Sequence, residues 1–209
     1  MSYRGLILDF GGVLTTRMRL NGEAFERSEN LPPGAYFRAL GEHPDGVRAY
    51  ADLEVGRATQ EQWNSVIGHL LGIDSTDLMR RALANLRPEP AIMAAAQRAR
   101  KAGIKVAMLS NSFGRTPYDP YRELDMYAHF DAVILSEVEG VRKPSPVIYQ
   151  RTLDALRLTG PECVFVDDHV RNLPPAETLG IRTIHHTTDP AATAAQLDAL
   201  LDGEVTAAG

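Results

Sequence analysis

The chain alternates between short apolar runs and longer amphipathic stretches. The apolar runs predict strands near residues 6–8, 104–109, 132–135, 163–166 and 181–184. The first and fourth of these runs contain no polar residue, which is typical of strands buried on both faces in a parallel sheet. Amphipathic segments, such as Pro90–Ala102 and Ser145–Leu158, separate the later runs. The pattern predicts an α/β fold with a Rossmann-like parallel sheet of about five strands and helices on both faces.

Between Thr16 and Pro88 the strand-like runs disappear and helical patterns replace them. Thr59-Gln60-Glu61-Gln62 has the spacing of a capping box, and it predicts a helix that ends at Gly72. We expect another helix from Asp74 or Ser75, and less sharply defined helices at 22–28, 33–40 and 45–55. The sequence therefore predicts an inserted α-helical cap, residues 17–87, within a core domain of residues 1–16 and 88–209.

Carboxylates follow two of the predicted strands directly. Asp9 comes after the first strand and precedes Gly11 and Gly12, and the pair Asp167-Asp168 comes after the fourth. An ordinary turn could also contain Asp and Gly, but an ionised carboxylate at the end of a buried strand is costly unless something pairs with it. Because the carboxyl ends of parallel strands share one crevice, the three carboxylates can converge around a cation.

Two further groups lie between these sites. Ser110 and Asn111 follow the second strand, and Lys143 precedes the Ser145-Pro146 pair that predicts a helix start. A lysine is more often a solvated surface residue, but here it stands beside a helix amino terminus, where anions are favoured.

The order of these motifs resembles the haloacid dehalogenase superfamily of hydrolases. The resemblance rests on Asp9-Phe10-Gly11-Gly12-Val13-Leu14, Ser110-Asn111, Lys143 and Asp167-Asp168, and it spans the chain from Leu6 to about Ile184. Within the superfamily, the chain looks most like the subgroup with a helical cap after the first motif, to which the phosphatase domain of soluble epoxide hydrolase belongs.

The resemblance implies a role for each motif in phosphate ester hydrolysis. Asp9 would be the nucleophile that forms an aspartyl-phosphate, and Ser110, Asn111, Lys143 and the backbone of Gly12 would bind the phosphoryl group. Mg²⁺ would be held by Asp9, the carbonyl of Gly11 and Asp168, with Asp167 as an outer or alternative ligand and Asn172 in support. The implied catalytic set is Asp9, Ser110, Lys143 and Asp168.

One position departs from the family pattern. Phosphatases of the family have a second Asp two residues after the nucleophile, which protonates the leaving group, and this chain has Gly11 there. The glycine keeps the backbone carbonyl but removes the acid. We therefore expect a phosphatase with restricted substrates or slow turnover, in which a water or a cap residue such as Glu54 or Arg57 replaces the acid.

Three functions remain open from the sequence. The favoured one is a Mg²⁺-dependent phosphatase of a small phosphorylated metabolite. The second is a metal-independent dehalogenase-type hydrolase, although the pair Asp167-Asp168 is unnecessary for such chemistry. The third is a catalytically silent binding module, in which Gly11 in place of the second Asp would indicate the loss of catalysis.

Composition narrows the possible partners and compartment. The net charge of −5 and the lack of a basic run give no support to nucleic-acid binding. The single cysteine, Cys163, excludes an internal disulfide and fits a reducing cytosol. Asp9 interrupts the first apolar run, so we expect no signal peptide, and no apolar stretch is long enough to span a membrane. We expect a cytoplasmic protein, monomeric or homodimeric. Because its net charge is negative, an anionic substrate has to be attracted by positive charge within the site.

Overall fold

A computed structural model, which describes residues 3–202, contains a five-stranded parallel sheet. The strands are β1 Gly5–Leu8, β2 Lys105–Ser110, β3 Ala132–Leu135, β4 Cys163–Asp167 and β5 Arg182–His185. The helices are α1 Met18–Ser28, α2 Ala35–Gly41, α3 Pro44–Glu54, α4 Gln60–Leu71, α5 Leu78–Leu83, α6 Pro90–Lys101, α7 Pro120–Glu123, α8 Ser136–Glu139, α9 Pro146–Leu156, α10 Leu173–Glu177 and α11 Pro190–Asp202. The predicted α/β architecture is confirmed. None of these helices combines the length and apolar character that crossing a bilayer requires.

The sheet is covered by helices on both faces. Alternate residues of β1 point to opposite sides: Leu6 and Leu8 join one hydrophobic cluster and Ile7 joins the other. The first cluster includes residues of α6 and α11, and the second includes residues of α9 and α10. Burial on both faces explains why β1 and β4 are unbroken apolar runs in the sequence.

The strand order, β3-β2-β1-β4-β5, puts β1 at the centre. Leu8 pairs with Met108 of β2 on one side and with Val166 of β4 on the other. The chain first adds strands on the β2 side of β1 and then returns to add β4 and β5 on the other side. Ligands of open α/β sheets bind where the strand order reverses in this way, outside the carboxyl ends of the strands. Asp9 and Asp167 stand at that point.

Helices α1–α5 form the helical cap, inserted between two adjacent segments of the core. Thr15 and Pro88 form an antiparallel bridge. The backbone N–H of Thr16 donates to the carbonyl of Arg87 at 2.8 Å. The chain thus leaves and re-enters the core at one place, as the predicted insertion requires, and the domain boundaries at 16/17 and 87/88 stay predictions.

The cap contacts the core through a buried glutamine at the start of α4. Thr59 caps this helix in the predicted capping box. The Gln60 side-chain amide donates to the carbonyls of Phe113 and Tyr118, both at 2.8 Å, and accepts from the N–H of Tyr118 at 2.9 Å. Gln60 is 1 % exposed. Both N–H groups and the oxygen of this amide are therefore used to hold the cap on the loop that follows β2.

Several element ends differ from the sequence prediction. Helix α5 begins at Leu78 rather than near Asp74, because the Asp74 carboxylate accepts hydrogen bonds from Thr76 and makes a turn instead. Helix α9 ends at Leu156, since Arg157 has a left-handed φ of 56°. Ser145 precedes α9 as predicted, but its side chain makes no capping hydrogen bond. Helix α8 was not predicted.

Candidate active site

A buried lysine joins the two acidic motifs. The Lys143 ammonium lies 2.6 Å from Oδ1 of Asp9 and 2.7 Å from Oδ2 of Asp167, and it also donates to the carbonyl of Leu109 at 3.2 Å. Its side chain is 2 % exposed. Burial acts to lower the pKa of Lys143, but the two carboxylates outweigh it and the pKa lies above the usual value. The lysine therefore stays a cation in the core of the site.

Asp167 is fixed by hydrogen bonds to both of its oxygens. Oδ1 accepts from the backbone N–H of His169 at 2.8 Å, and the amide of Asn172 donates to both oxygens at 3.0 Å. With Lys143 on Oδ2, this fully buried carboxylate has its charge compensated and its lone pairs occupied. Its arrangement suits a residue that orients Lys143 rather than one that binds a ligand directly.

Asp9 stands between this charge network and an open cavity. The carboxylate accepts from the N–H of Phe10 at 2.7 Å and contacts Lys143. Burial raises the pKa of Asp9 above its usual value, and the Lys143 ammonium acts in the opposite direction. The carboxylate is thus held at one oxygen by a fixed cation.

Asn111 holds Lys143 in place through its backbone. The Asn111 amide donates to the carbonyl of Lys143 at 3.1 Å, and its oxygen accepts from the N–H of Lys143 at 2.9 Å. This reciprocal pair joins the loop after β2 to the loop before α9. The second and third sequence motifs are therefore one structural unit.

Ser110 and Gly12 are near the site, but their polar groups are bound within the protein. The Ser110 hydroxyl lies 3.0 Å from the hydroxyl of Tyr121 and is 1 % exposed as a residue. The N–H of Gly12 donates to Oγ1 of Thr15 at 3.3 Å. Neither residue lines the cavity beside Asp9, so the structure brings them close without opening them to it.

The residues around Asp168 fit a hard cation. Asp168 is partly exposed and lies against Gly12, where an added Cβ would come within 2.6 Å of its Oδ2. Oδ1 of Asn172 is buried and has no hydrogen-bond partner among the described residues. Carboxylate and amide oxygens are the ligands that Mg²⁺ prefers. Asp9, Asp168 and the Gly11 carbonyl could hold such an ion, with Asn172 beside them, although His169 now contacts Oδ1 of Asp168 at 2.5 Å.

The cavity beside Asp9 has a volume of about 120 Å³. Six residues named from the sequence line it: Asp9, Gly11, Glu54, Asn111, Lys143 and Asn172. Five other lining residues had no role predicted from the sequence: Met18, Tyr50, Phe113, His169 and Arg171. His169 follows the acidic pair directly and Arg171 lies two residues further on, and this nearness is the one sequence signal that could have identified them.

Gly11 has an ordinary backbone conformation, with φ −76° and ψ 115°. A Cβ at this position would lie 3.2 Å from Cγ and 3.3 Å from Sδ of Met18. Met18 therefore lies against the position where a side chain at residue 11 would begin, whereas Gly12 has a φ of 85° that side chains rarely adopt.

The two cap residues suggested as acids behave differently. Glu54, at the end of α3, is 4 % exposed, lines the cavity and pairs with Arg142. Arg57 pairs with Asp52 and lines a separate cavity on the cap. The suggestion of Arg57 is thus wrong, because its side chain is not in the cavity of Asp9.

The chain matches the family model of haloacid dehalogenase-like hydrolases over residues 3–180. Among curated proteins it is 30 % identical over 208 residues to mouse (Mus musculus) acyl-CoA dehydrogenase family member 10, covering 96 % of this chain and 19 % of that protein. It is 25 % identical over 156 residues to the sesquiterpene phosphatase astK of Aspergillus oryzae, covering 73 % of this chain and 79 % of that protein. The chain therefore spans about a fifth of the first relative.

Solved structures show the same fold. A HAD family enzyme from Bacteroides thetaiotaomicron, in complex with magnesium and inorganic phosphate, superposes with a TM-score of 0.67 at 22 % identity, over 89 % of this chain and 95 % of that one. L-2-haloacid dehalogenase from Xanthobacter autotrophicus superposes with a TM-score of 0.63 at 21 % identity, over 97 % and 84 % of the two chains. At these identities the likeness concerns the fold. Together with the family model and the placement of Asp9, Lys143 and Asp167, it shows that the chain belongs to the haloacid dehalogenase-like hydrolases.

Proposed function

We propose that the protein is a Mg²⁺-dependent phosphatase of a small phosphorylated metabolite that forms an aspartyl-phosphate on Asp9. The observation that carries the proposal is the buried Lys143 ammonium, 2.6 Å from Asp9 and 2.7 Å from Asp167, at the edge of a cavity that Asp9 lines. A carboxylate beside a fixed cation can approach an anionic phosphoryl group without severe repulsion. The net charge of −5 makes this local cation more important.

Each residue of the site has a role in this reaction. Asp9 attacks phosphorus, and water later hydrolyses the aspartyl-phosphate. Lys143 neutralises phosphoryl oxygens while Asp167 and Asn111 hold it in place. Ser110 lies buried beside the cavity, and its hydroxyl would have to turn away from Tyr121 and the Asn111 carbonyl to donate to a phosphoryl oxygen.

The residues at Asp168 would hold Mg²⁺ together with Asp9 and the Gly11 carbonyl. The ion would supply positive charge that neutralises the phosphoryl oxygens during transfer. Asp167 remains an outer residue, because Lys143, Asn172 and His169 already occupy its oxygens.

Gly11 limits the choice of substrate. Without a carboxylic acid at this position, the leaving group departs with little help, so esters of weakly basic alcohols react fastest. Glu54 is the cap carboxylate in the cavity, and it is ion-paired with Arg142. It is the cap residue placed to exchange a proton with a water or a leaving group there.

Names among the relatives support a phosphorylated substrate. Besides the sesquiterpene phosphatase, a glyceraldehyde 3-phosphate phosphatase of Pyrococcus abyssi is 26 % identical over 102 residues, 48 % of this chain and 43 % of that protein. The cavity of about 120 Å³ is smaller than typical drug-sized sites, which favours a small substrate. A cytoplasmic location and a monomeric or homodimeric state stay predictions.

Turnover of p-nitrophenyl phosphate by the purified protein tests the proposal. We expect hydrolysis with Mg²⁺, loss of hydrolysis in excess chelator, and recovery when Mg²⁺ is restored. Asp9→Asn serves as the control for contaminating phosphatases. The same preparation is given 2-chloropropionate: chloride release without phosphate release, or no turnover of a broad panel of phosphate esters, would contradict the phosphatase.

A further inference from the structure

A chain of buried hydroxyl groups leads from Ser110 away from the cavity. The Ser110 hydroxyl lies 3.0 Å from the Tyr121 hydroxyl, which lies 3.1 Å from Oγ of Ser112. Ser112 donates in turn to the carboxylate of Glu137. Ser110, Tyr121 and Ser112 are at most 1 % exposed, so water does not interrupt the chain.

The carboxylate at the end fixes the direction of the hydrogen bonds between Tyr121, Ser112 and Glu137. Glu137 is ion-paired with Arg115, and an ionised carboxylate only accepts hydrogen bonds. Ser112 must therefore donate to Glu137, and Tyr121 must donate its single proton to Ser112. With the Tyr121 proton on Ser112, Ser110 is the donor in its contact with Tyr121, and the carbonyl of Asn111, at 3.2 Å, is a second acceptor for the same proton.

A phosphoryl oxygen reverses one link of the chain. Such an oxygen is also only an acceptor, so Ser110 has to give it the proton that otherwise lies between Tyr121 and the Asn111 carbonyl. Among the described residues, the Tyr121 hydroxyl is then the donor within reach of the Ser110 oxygen. A rotation of the Tyr121 O–H from Ser112 to Ser110 keeps Ser110 hydrogen-bonded in the new state, and Ser112 keeps its bonds to Glu137 and to the N–H of Gly114.

We propose that Tyr121 is a positioning residue that holds the Ser110 hydroxyl for the phosphoryl group by switching its own hydrogen bond between Ser112 and Ser110. The inference rests on the proposed phosphatase function, because it requires the buried Ser110 hydroxyl, which does not line the cavity in this structure, to turn toward a phosphoryl oxygen. Tyr121 acts through Ser110 and does not itself line the cavity.

The position of Tyr121 is set independently of its hydroxyl. The Asp119 carboxylate caps the short helix α7 by accepting from the N–H groups of Tyr121 and Arg122, both at 3.0 Å. The Tyr121 ring packs against Phe10, the residue after Asp9, with 4.6 Å between ring centroids. A phenylalanine at position 121 keeps these contacts and removes the hydroxyl alone.

A double-mutant cycle tests the proposal. Tyr121→Phe, Ser110→Ala and the combined variant are compared for kcat/KM with p-nitrophenyl phosphate and for the dissociation constant of inorganic phosphate, measured by calorimetry with Mg²⁺. Tyr127→Phe is the matched control, because Tyr127 packs against Tyr121 and its hydroxyl bonds to Asp119 rather than to Ser110. Melting temperatures are recorded for all variants.

We expect Tyr121→Phe to lower kcat/KM and to weaken phosphate binding by about tenfold, the value of one hydrogen bond. In the Ser110→Ala background the same substitution should change neither quantity, since no hydroxyl is left to position. Tyr127→Phe should leave both quantities unchanged.

Equal effects of Tyr121→Phe in the wild type and in the Ser110→Ala background would overturn the proposal and indicate that the tyrosine is merely structural. A Tyr121→Phe variant with unchanged kcat/KM and unchanged phosphate binding would also overturn it. If the wild-type protein hydrolyses no phosphate ester, the proposed phosphatase function is contradicted instead. The double-mutant cycle is then evaluated from the dissociation constants of inorganic phosphate alone. If the wild type does not bind phosphate either, the positioning role is overturned as well.

Discussion

Restoring a carboxylic acid at position 11 should change which substrates the enzyme can hydrolyse. The substitution is Gly11→Asp. The backbone of Gly11, with φ −76° and ψ 115°, accepts any L-residue without strain. The new Cβ would meet Cγ of Met18 at 3.2 Å and Sδ at 3.3 Å. Met18 is a flexible side chain, so a shift of a few tenths of an ångström accommodates the carboxylate.

The magnitude follows from the chemistry of the leaving group. A positioned general acid contributes about 10²–10⁴-fold when the leaving oxygen needs a proton. Gly11→Asp should therefore raise kcat/KM for an alkyl phosphate by up to that factor. It should change the rate with a nitrophenyl phosphate by less than about tenfold, because that phenolate departs without a proton.

The assay is a series of phosphate monoesters whose leaving-group pKa rises from nitrophenols to simple alcohols. In the wild type the logarithm of kcat/KM should fall steeply along the series, and in Gly11→Asp the slope should flatten. Gly11→Asn is the matched control, since it has the same shape and no acidic proton, and it should keep the steep slope. Single-turnover measurements confirm that formation of the aspartyl-phosphate limits the rate.

Two results would refute this reasoning. A flat series in the wild type means that an acid already acts in the cavity, and Glu54→Gln should then make the slope steep. A Gly11→Asp variant that melts like the wild type but keeps the steep slope means that residue 11 does not face the leaving group.

Three further predictions concern the acidic residues and the cap. Asp9→Asn should reduce turnover to at most about 10⁻³ of the wild-type value while thermal unfolding stays cooperative, and substantial turnover in enzyme free of wild type would exclude Asp9 as the nucleophile. Asp168→Ala should raise the Mg²⁺ concentration needed for half-maximal activity, measured by metal titration, more than Asp167→Ala does. Asp167→Ala should instead lower the free energy of unfolding, measured by denaturant titration, by about 3–5 kcal/mol, because it leaves Lys143 buried beside Asp9 alone. The opposite ranking in the two titrations would reverse the assigned roles. Gln60→Ala should lower the free energy of unfolding by about 2–4 kcal/mol, since it leaves three backbone groups at the cap–core contact without partners. Hydrogen exchange of the backbone amides near residues 113–118 should become faster. Unchanged exchange there would show that this glutamine does not hold the cap.

The sequence alone determined the fold class and which residues stand at the ends of the central strands. Short unbroken apolar runs of this length favour strands buried on both faces, and a carboxylate directly after such a strand lies at the carboxyl edge of the sheet. For that reason Asp9, Ser110 and Asp167 were assigned to one crevice without any knowledge of strand order. The capping box at Thr59 likewise fixed the start of α4, because its hydrogen bonds are local.

The tertiary structure decided which side chains of the site are buried, which of them line the cavity, and which of their donors and acceptors are already hydrogen-bonded within the protein. Asp167 and Asp168 are neighbours in the sequence, yet Asp167, the last residue of β4, is fully buried with Lys143, whereas Asp168, just past the strand, is partly exposed and lies against Gly12. Glu54 lines the cavity of Asp9 and Arg57 does not, since the packing of the cap on the core orients the end of α3. The partner of Ser110 is Tyr121, eleven residues away, and only the fold of the intervening loop brings the two hydroxyls together. Local patterns determine strands, caps and strand-end residues, whereas contacts between distant segments depend on packing that no local pattern records.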